Sequence, residues 1–130
     1  MLLAARFADW WNISDADPER FSGLVQTLQA HCERIGRDPA TLRRTWYGRL
    51  IVAPTEAEAI ARGGGIFTRK NAIVGTPAQA VEQIQPLVAL GASYFMVEIA
   101  SFAPGVPIGA PPTEEEIARV VEDVLPRVAG

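Results

Sequence analysis

Two charged residues stand inside otherwise apolar stretches of this sequence and are the first candidates for chemistry. Arg49 lies within the β-branched and aromatic stretch 43–53, and Glu98 lies within the nearly continuous apolar stretch 93–102. An arginine near a glutamate suits two roles. The pair can contact a phosphate or a polar ligand, or it can form a buried ion pair that only stabilises the fold. The residues themselves leave both interpretations open.

If both stretches are strands, alternate side chains lie on the same face, so the sequence shows which residues share a face with Arg49 and with Glu98. Glu98 shares a face with Tyr94, Met96 and Ala100, and the opposite face carries Phe95, Val97 and Ile99. Arg49 shares its face with Tyr47 and Ile51. Because an apolar face packs against helices, we expect Glu98 to point away from them, and we place Arg49 on the same side.

The histidine and the cysteine are neighbours, His31 and Cys32, and are less promising. They lie within one predicted helix without the spacing of metal ligands. We interpret His31 as a structural residue at or near the surface and Cys32 as a core residue. The sequence contains no recognisable set of nucleophile, base and orienting residue.

The glycine-rich stretch "GGGIFTRK" at 63–70 lacks the glycine spacing of a dinucleotide or P-loop fingerprint. It is more typical of a helix end followed by a flexible turn. A second interpretation is that Arg69 and Lys70 bind an anion together with Gly75 and Thr76. Those two residues precede a predicted helix whose free amides favour negative charge.

Composition places the chain among ordinary single domains. It has 130 residues, 48% of them hydrophobic, and a net charge of −3 with acidic and basic residues interspersed. This balance disfavours nucleic-acid binding, which needs a basic patch. A single cysteine excludes an intrachain disulfide and is typical of a reducing compartment. No leader sequence and no stretch of about 18 apolar residues is evident, so we expect a cytoplasmic protein forming one domain over 1–130.

Hydrophobic periodicity and capping residues predict alternating helices and strands. Predicted helices cover 2–8, 18–35, 55–62, 75–91 and 113–128, and predicted strands cover 9–13, 43–53 and 93–102. The segment 66–74 is either a loop or a short extended piece. Asp15 or Asp17 is the expected cap of the second helix, and Pro86 is expected to kink the fourth. The order predicts an α/β fold with about three parallel strands.

Four stretches of the sequence together resemble the luciferase-like monooxygenase family. They are "AARFADWWN", "HCERIGRDPATL", "IVGTPAQAVEQIQPLVALGASYFMVEI" and "VLPRV", in the family's order. The resemblance implies a partial TIM barrel in which 9–13, 45–53 and 93–99 are the sixth, seventh and eighth strands. The chain would begin in the helix that follows a fifth strand. It departs from the family in lacking the first five strands and in a shorter connection before "VGTP".

The resemblance also implies a function and a site. Family members are flavin- or coenzyme F420-dependent oxidoreductases, so the implied cofactor is FMN or coenzyme F420, possibly neither in this chain. Trp11 and Asn12 would line the flavin end of the pocket, or else be a packed ring and a strand-end amide. Trp10 is interpreted as core. Arg49 and Glu98 would point into the barrel interior.

The exposed edges of a partial barrel need a partner. We expect a homodimer, or a complex with a chain that supplies the missing half of the barrel. The alternative to an enzyme is a non-catalytic half-barrel, an assembly module without a cofactor.

Overall fold

A computed structural model describes residues 1–128 of the chain. The helices are α1 (Leu2–Phe7), α2 (Pro18–Arg34), α3 (Glu56–Arg62), α4 (Pro77–Ala89), α5 (Glu114–Arg119) and α6 (Leu125–Val128). The strands are β1 (Trp10–Ser14), β2 (Arg43–Val52), β3 (Ile73–Gly75) and β4 (Ala92–Ile99). Within this described range, no helix is long and apolar enough to cross a membrane.

The strands form one parallel sheet with β2 at its centre. On one edge of β2, β1 pairs with Arg43–Tyr47 and β3 with Leu50–Val52. On the other edge, β4 pairs along Arg44–Leu50. The predicted α/β fold with parallel strands is therefore confirmed. The sheet has four strands rather than three, because the ambiguous segment 66–74 ends in the short strand β3.

Helix starts follow the sequence signals closely. Asp17, not Asp15, caps α2 by accepting a hydrogen bond from the Arg20 amide at 2.8 Å. Thr76 and Thr113 each form a capping box at the start of α4 and α5. These side chains satisfy amides that a helix leaves unpaired at its first turn.

Strand and helix ends differ from the predicted ones where tertiary contacts intervene. β4 ends at Ile99 instead of 102, because the Phe102 amide leaves the sheet and donates to the Arg62 carbonyl at 2.6 Å. The last predicted helix, 113–128, is interrupted by a π turn over Val120–Val124. This wider turn keeps both Val120 and Val124 buried.

The outer face of the sheet packs against α2 and α4 and contains the main core. Trp46, Leu50 and Val52 of β2 meet Phe21 of α2 and Ile84 of α4 there. Trp46 is 1% exposed, and its indole Nε1 donates to the Ala16 carbonyl at 2.8 Å. The ring lies over Gly48, where an added Cβ would come within 2.7 Å of the indole Cζ2. Burial of this face fixes which side chains of β2 point the other way.

The inner face is the opposite side of the sheet, and only its carboxyl end is covered. There Ile51 is buried with Ala59 of α3 and Val74 of β3, and Phe67 and Phe102 pack against them. Gly64 permits this cover, because its φ is +62° and an added Cβ would overlap the backbone carbonyl of Phe102. Beyond this end, the inner face carries the exposed side chains of Trp10, Asn12, Tyr94 and Met96 together with the buried Thr45.

Candidate functional site

The inner face brings three charged residues together at the carboxyl ends of the strands. The Arg49 Nε lies 2.9 Å from the Glu98 Oε2. The Arg49 Nη1 lies 3.2 and 3.3 Å from the two carboxylate oxygens of Asp15. Arg49 thus bridges two carboxylates, and we call these three residues the Arg49 cluster.

Parallel pairing explains why this cluster forms. Arg49 of β2 is in register with Glu98 of β4, so the two side chains leave the sheet side by side. Asp15 follows β1 directly, and its amide donates to the Tyr47 carbonyl at 2.8 Å. Asp15 has a φ of +51°, a left-handed conformation that aspartate tolerates better than most residues. Such conformations are frequent at functional sites.

Aromatic rings surround the guanidinium. Its Cζ lies 5.0 Å from the ring centre of Phe67 and 5.9 Å from that of Tyr47. Phe67 in turn packs on Phe102, with ring centres 4.5 Å apart. These contacts are within the range of cation–π attraction and hold Arg49 against the covered end of the inner face.

The cluster carries one positive and two negative charges and is only partly shielded from solvent. The side chain of Arg49 is 25% exposed, that of Asp15 33% and that of Glu98 49%. A hydrogen bond to the Glu98 carboxylate raises the pKa of Tyr47, and partial desolvation and the charge of Glu98 raise it further. Arg49 lowers the same pKa and so offsets part of this effect. Tyr47 is therefore a neutral hydroxyl at physiological pH.

Trp10, not Trp11, presents its ring on the inner face. Trp10 is 52% exposed, meets the ring of Tyr94 edge-on at 5.6 Å and carries the Arg43 guanidinium at 4.6 Å. The interpretation of Trp10 as core is wrong. Trp11 packs on the helix side with Leu28 and other buried residues. Successive strand residues face opposite ways, so this geometry favours Trp11 as a packing residue.

Asn12 lies on the inner face, toward the amino end of the sheet. Its Oδ1 accepts a hydrogen bond from the Thr45 hydroxyl at 2.9 Å, and its amide donates to the Ser14 hydroxyl at 3.3 Å. Thr45 is 1% exposed, so this bond satisfies a buried hydroxyl. Asn12 is exposed and on the same face as the Arg49 cluster, but no contact joins them.

Gly75 and Thr76 lie away from the cluster, at the start of α4. Thr76 is held in the capping box with Gln79, whose side chain accepts from the Thr76 amide at 3.0 Å. Arg69 binds the Glu56 carboxylate at 2.9 Å and the Val74 carbonyl at 3.2 Å. The chain's own side chains thus occupy groups that an anion at this helix start would use. The role of Gly75 and Thr76 in binding stays a prediction.

The remaining reactive side chains do not gather into a second site. Cys32 is 0% exposed in the core between α1 and α2, as expected for a packing residue. His31 is partly buried on the neighbouring position of α2. Across residues 1–128, no group of three His, Cys, Asp or Glu side chains is arranged to hold a metal ion.

Sequence reasoning found Arg49 and Glu98 but missed Asp15 and Phe67. Asp15 was considered only as a helix cap, although its position directly after a strand was a signal for the carboxyl edge of the sheet. Phe67 lies in a loop with no periodic pattern. Its contact with Arg49 depends on the fold of that loop.

Comparison with known proteins agrees with this architecture. No family model and no curated protein matches the sequence. The fold is similar to the coenzyme F420-dependent tetrahydromethanopterin reductase from Methanopyrus kandleri (TM-score 0.75, 16% identity, 98% of this chain and 47% of that one). It is also similar to an F420-dependent secondary alcohol dehydrogenase (TM-score 0.72, 15% identity, 98% and 45%). A third is EDTA monooxygenase from Chelativorans sp. BNC1 (TM-score 0.68, 16% identity, 98% and 41%).

These likenesses establish the fold. The chain has the parallel α/β architecture of part of these longer barrel chains, which confirms the fold that the resemblance implied. It spans less than half the length of each of these three solved chains. In a barrel of this kind the inner face lines the interior, and the carboxyl ends of the strands form the mouth where active sites lie.

Proposed function

We propose that this chain forms part of the active-site wall of a flavin- or coenzyme F420-dependent oxidoreductase with a luciferase-like barrel. The observation that carries the proposal is the position of the Arg49 cluster. It lies at the carboxyl ends of three parallel strands, on the inner face, where barrel enzymes place their active-site groups. Similar solved structures include coenzyme F420-dependent enzymes and a monooxygenase.

The charge of the cluster limits which part of a cofactor or substrate it suits. Two carboxylates and one guanidinium give a net charge of −1, and Arg49 is already engaged by both carboxylates. A phosphate would be repelled, so the interpretation of the pair as a phosphate contact loses support. Neutral groups with N–H or O–H donors fit, because Asp15 and Glu98 offer acceptor oxygens beside aromatic rings.

Each residue of the cluster then has a definite task. Asp15 and Glu98 accept hydrogen bonds from a polar ring or from the substrate, and Arg49 holds the two carboxylates in place. The Tyr47 hydroxyl donates its one hydrogen bond to the Glu98 carboxylate, so towards a ligand its oxygen can only accept a hydrogen bond. A bound flavin or deazaflavin supplies the hydride or electron transfer itself. This chain's residues supply orientation.

A complete pocket needs the rest of a barrel wall. Similar solved chains are more than twice as long as the part that this chain matches. We propose that a second copy, or a chain carrying the other strands, completes the wall.

A non-catalytic half-barrel is the second candidate, and one observation favours it. Arg49 forms two ion pairs and packs on Phe67, so its charge is already balanced within the cluster without a ligand. A network of this kind can fill a barrel interior with no role in binding.

Titration of the purified chain with FMN, riboflavin and coenzyme F420, followed by cofactor fluorescence, separates the two candidates. The enzymatic proposal expects saturable micromolar binding, with riboflavin close to FMN because the cluster does not contact the phosphate. Absence of binding at every concentration, with the fold intact by circular dichroism, would favour the non-catalytic module.

Variants test whether the cluster is the contact. Glu98→Gln removes a charged acceptor, so we expect affinity to fall about tenfold, which corresponds to about 1.4 kcal/mol. Glu56→Gln is the matched control, because Glu56 pairs with Arg69 outside the cluster. Equal loss in both variants would contradict the assignment.

A further inference from the structure

A polar cavity of about 670 Å³ opens at the amino ends of the strands, at the opposite end of the sheet from the Arg49 cluster. Its lining comes from α2, from the connection between α2 and β2, from the first residues of β2, and from the turn between α4 and β4. Because all of these walls belong to this chain, the cavity does not depend on strands that a longer barrel would add. Its size is in the range of small-molecule sites.

Arg44 is the residue of this cavity whose hydrogen bonding is incomplete. Its side chain lies on the outer face of β2, the face of Trp46. Its Nη1 donates to the Leu90 carbonyl at the end of α4, at 3.4 Å. Its Nε is buried and has no hydrogen-bond partner among residues 1–128, and Arg44 forms no salt bridge with any of them. A buried charged donor is costly to leave without an acceptor, so this side chain is ready to bind one.

The turn between α4 and β4 makes room for this guanidinium. Gly91 has a φ of +95°, and a Cβ added there would lie 2.5 Å from the Arg44 Nη1. The glycine therefore allows the guanidinium to reach the last carbonyls of α4, where a positive charge is favourable. Contact with the end of α4 accounts for the Nη1 of Arg44 and leaves its buried Nε unexplained.

The cavity is lined by more positive than negative charge, although the whole chain has a net charge of −3. Its lining contains Arg43, Arg44 and one acidic residue, Asp38. The Asp38 Oδ1 already accepts a hydrogen bond from the Ala40 amide at 2.9 Å. The Arg43 guanidinium lies over the Trp10 ring at 4.6 Å, a contact that engages its face and not the N–H groups at its edge. Because neighbouring side chains of a strand point opposite ways, the two arginines approach the cavity from the two sides of the sheet.

We propose that this cavity binds a phosphoryl group, either inorganic phosphate or the phosphate of a small ester, with Arg44 as the principal contact. A guanidinium edge with two parallel N–H groups matches two phosphate oxygens, and the Nε and adjacent Nη2 of Arg44 form such an edge. Two arginines favour a dianion over a single carboxylate. The Gln29 amide and the Ser93 hydroxyl line the same cavity and can bind further oxygens. The proposal does not depend on the Arg49 cluster or on a cofactor, since the cavity lies at the other end of the sheet.

NMR spectra of the arginine Nε–H groups test this contact in the intact chain. We titrate the isotope-labelled chain with inorganic phosphate, and separately with glycerol phosphate, at constant ionic strength. The Nε–H signal that is missing in Arg44→Met belongs to Arg44, and we expect it to shift saturably. The signal of Arg69 should not move, because its Nε donates to the Val74 carbonyl outside the cavity. Tighter binding of glycerol phosphate would assign the site to an ester, and equal affinity would assign it to phosphate itself.

A charge-changing variant tests the lining without removing Arg44. Gln29→Glu keeps the size of the side chain and adds a negative charge to the cavity, so we expect phosphate to bind several-fold more weakly. Gln85→Glu is the matched control, because Gln85 is exposed on α4 and is not part of the lining.

An Arg44 signal that stays in place with both compounds at tens of millimolar would overturn the proposal. Equal loss of affinity in Gln29→Glu and Gln85→Glu would also overturn it, because binding would then reflect the charge of the whole chain. We expect Arg44→Met to lose phosphate binding while its circular dichroism stays that of the wild type. If that variant does not fold, the Arg44 signal is assigned by through-bond correlation in the wild type, and the two glutamine variants decide.

Discussion

Replacing Arg49 by methionine should destabilise the chain measurably, and the size of the effect follows from its contacts. Arg49 forms ion pairs with Asp15 and Glu98 and packs on Phe67. A partly exposed pair contributes about 0.2–1 kcal/mol and a cation–π contact about 0.5–1 kcal/mol. Because the carboxylates are one third to one half exposed, we expect a total loss of about 1–2 kcal/mol.

The assay is equilibrium urea unfolding, monitored by tryptophan fluorescence, at low salt and at 1 M NaCl. At 1 M NaCl the Debye length is about 3 Å, so interactions between exposed charges are strongly screened. High salt should reduce the difference in free energy of unfolding between wild type and Arg49→Met, because most of that difference is electrostatic. Arg69→Met is the matched control. Its pair with Glu56 is half exposed on both sides and its Nε also donates to the Val74 carbonyl at 3.2 Å, so we expect a loss of about 1 kcal/mol at most.

Two results would refute this reasoning. A loss for Arg49→Met no larger than for Arg69→Met would mean that the cluster contributes no more than an ordinary surface pair. A loss that does not change with salt would mean that packing on Phe67, and not charge, is what Arg49 supplies. A double-mutant cycle with Glu98→Gln isolates the pair itself and should give a coupling of about 0.5–1 kcal/mol.

The remaining predictions concern β2 and its neighbours. Gly48→Ala should destabilise the fold by about 1–3 kcal/mol, because the new Cβ would meet the buried ring of Trp46, and Trp46→Leu should remove most of that penalty. In a Tyr94→Phe background, spectrophotometric titration should show the pKa of Tyr47 above its ordinary value, and Glu98→Gln should lower it. The raised pKa means that neutral Tyr47 stabilises the fold below its unfolded pKa and that this contribution is lost as pH rises through the folded pKa. An unchanged titration curve in Glu98→Gln would contradict the hydrogen bond between the two residues.

Local signals in the sequence determined the elements of this protein. Apolar residues three and four apart, with a capping Asp17, Thr76 or Thr113, define α2, α4 and α5, because capping and periodicity act over a single turn. The side-chain period of a strand, together with the apolar residues Phe95, Val97 and Ile99 opposite Glu98, led us to expect Arg49 and Glu98 on one face, and the register of β2 with β4 places them side by side.

Other features depended on contacts between segments distant in the chain. Asp15 joins the cluster because β1 pairs with β2, and Phe67 reaches Arg49 because its loop folds over the carboxyl end of the sheet. Trp10 and Trp11 are adjacent and chemically alike, so only the register with β2 decides which ring faces inward. β3 forms because residues 73–75 pair with β2, and the π turn keeps Val120 and Val124 buried. Neither feature has a local sequence signal. The sequence by itself determined where most of the helices and the three longer strands lie, because those signals are local. The tertiary structure alone decided which side chains meet, because that depends on register between strands far apart in the chain.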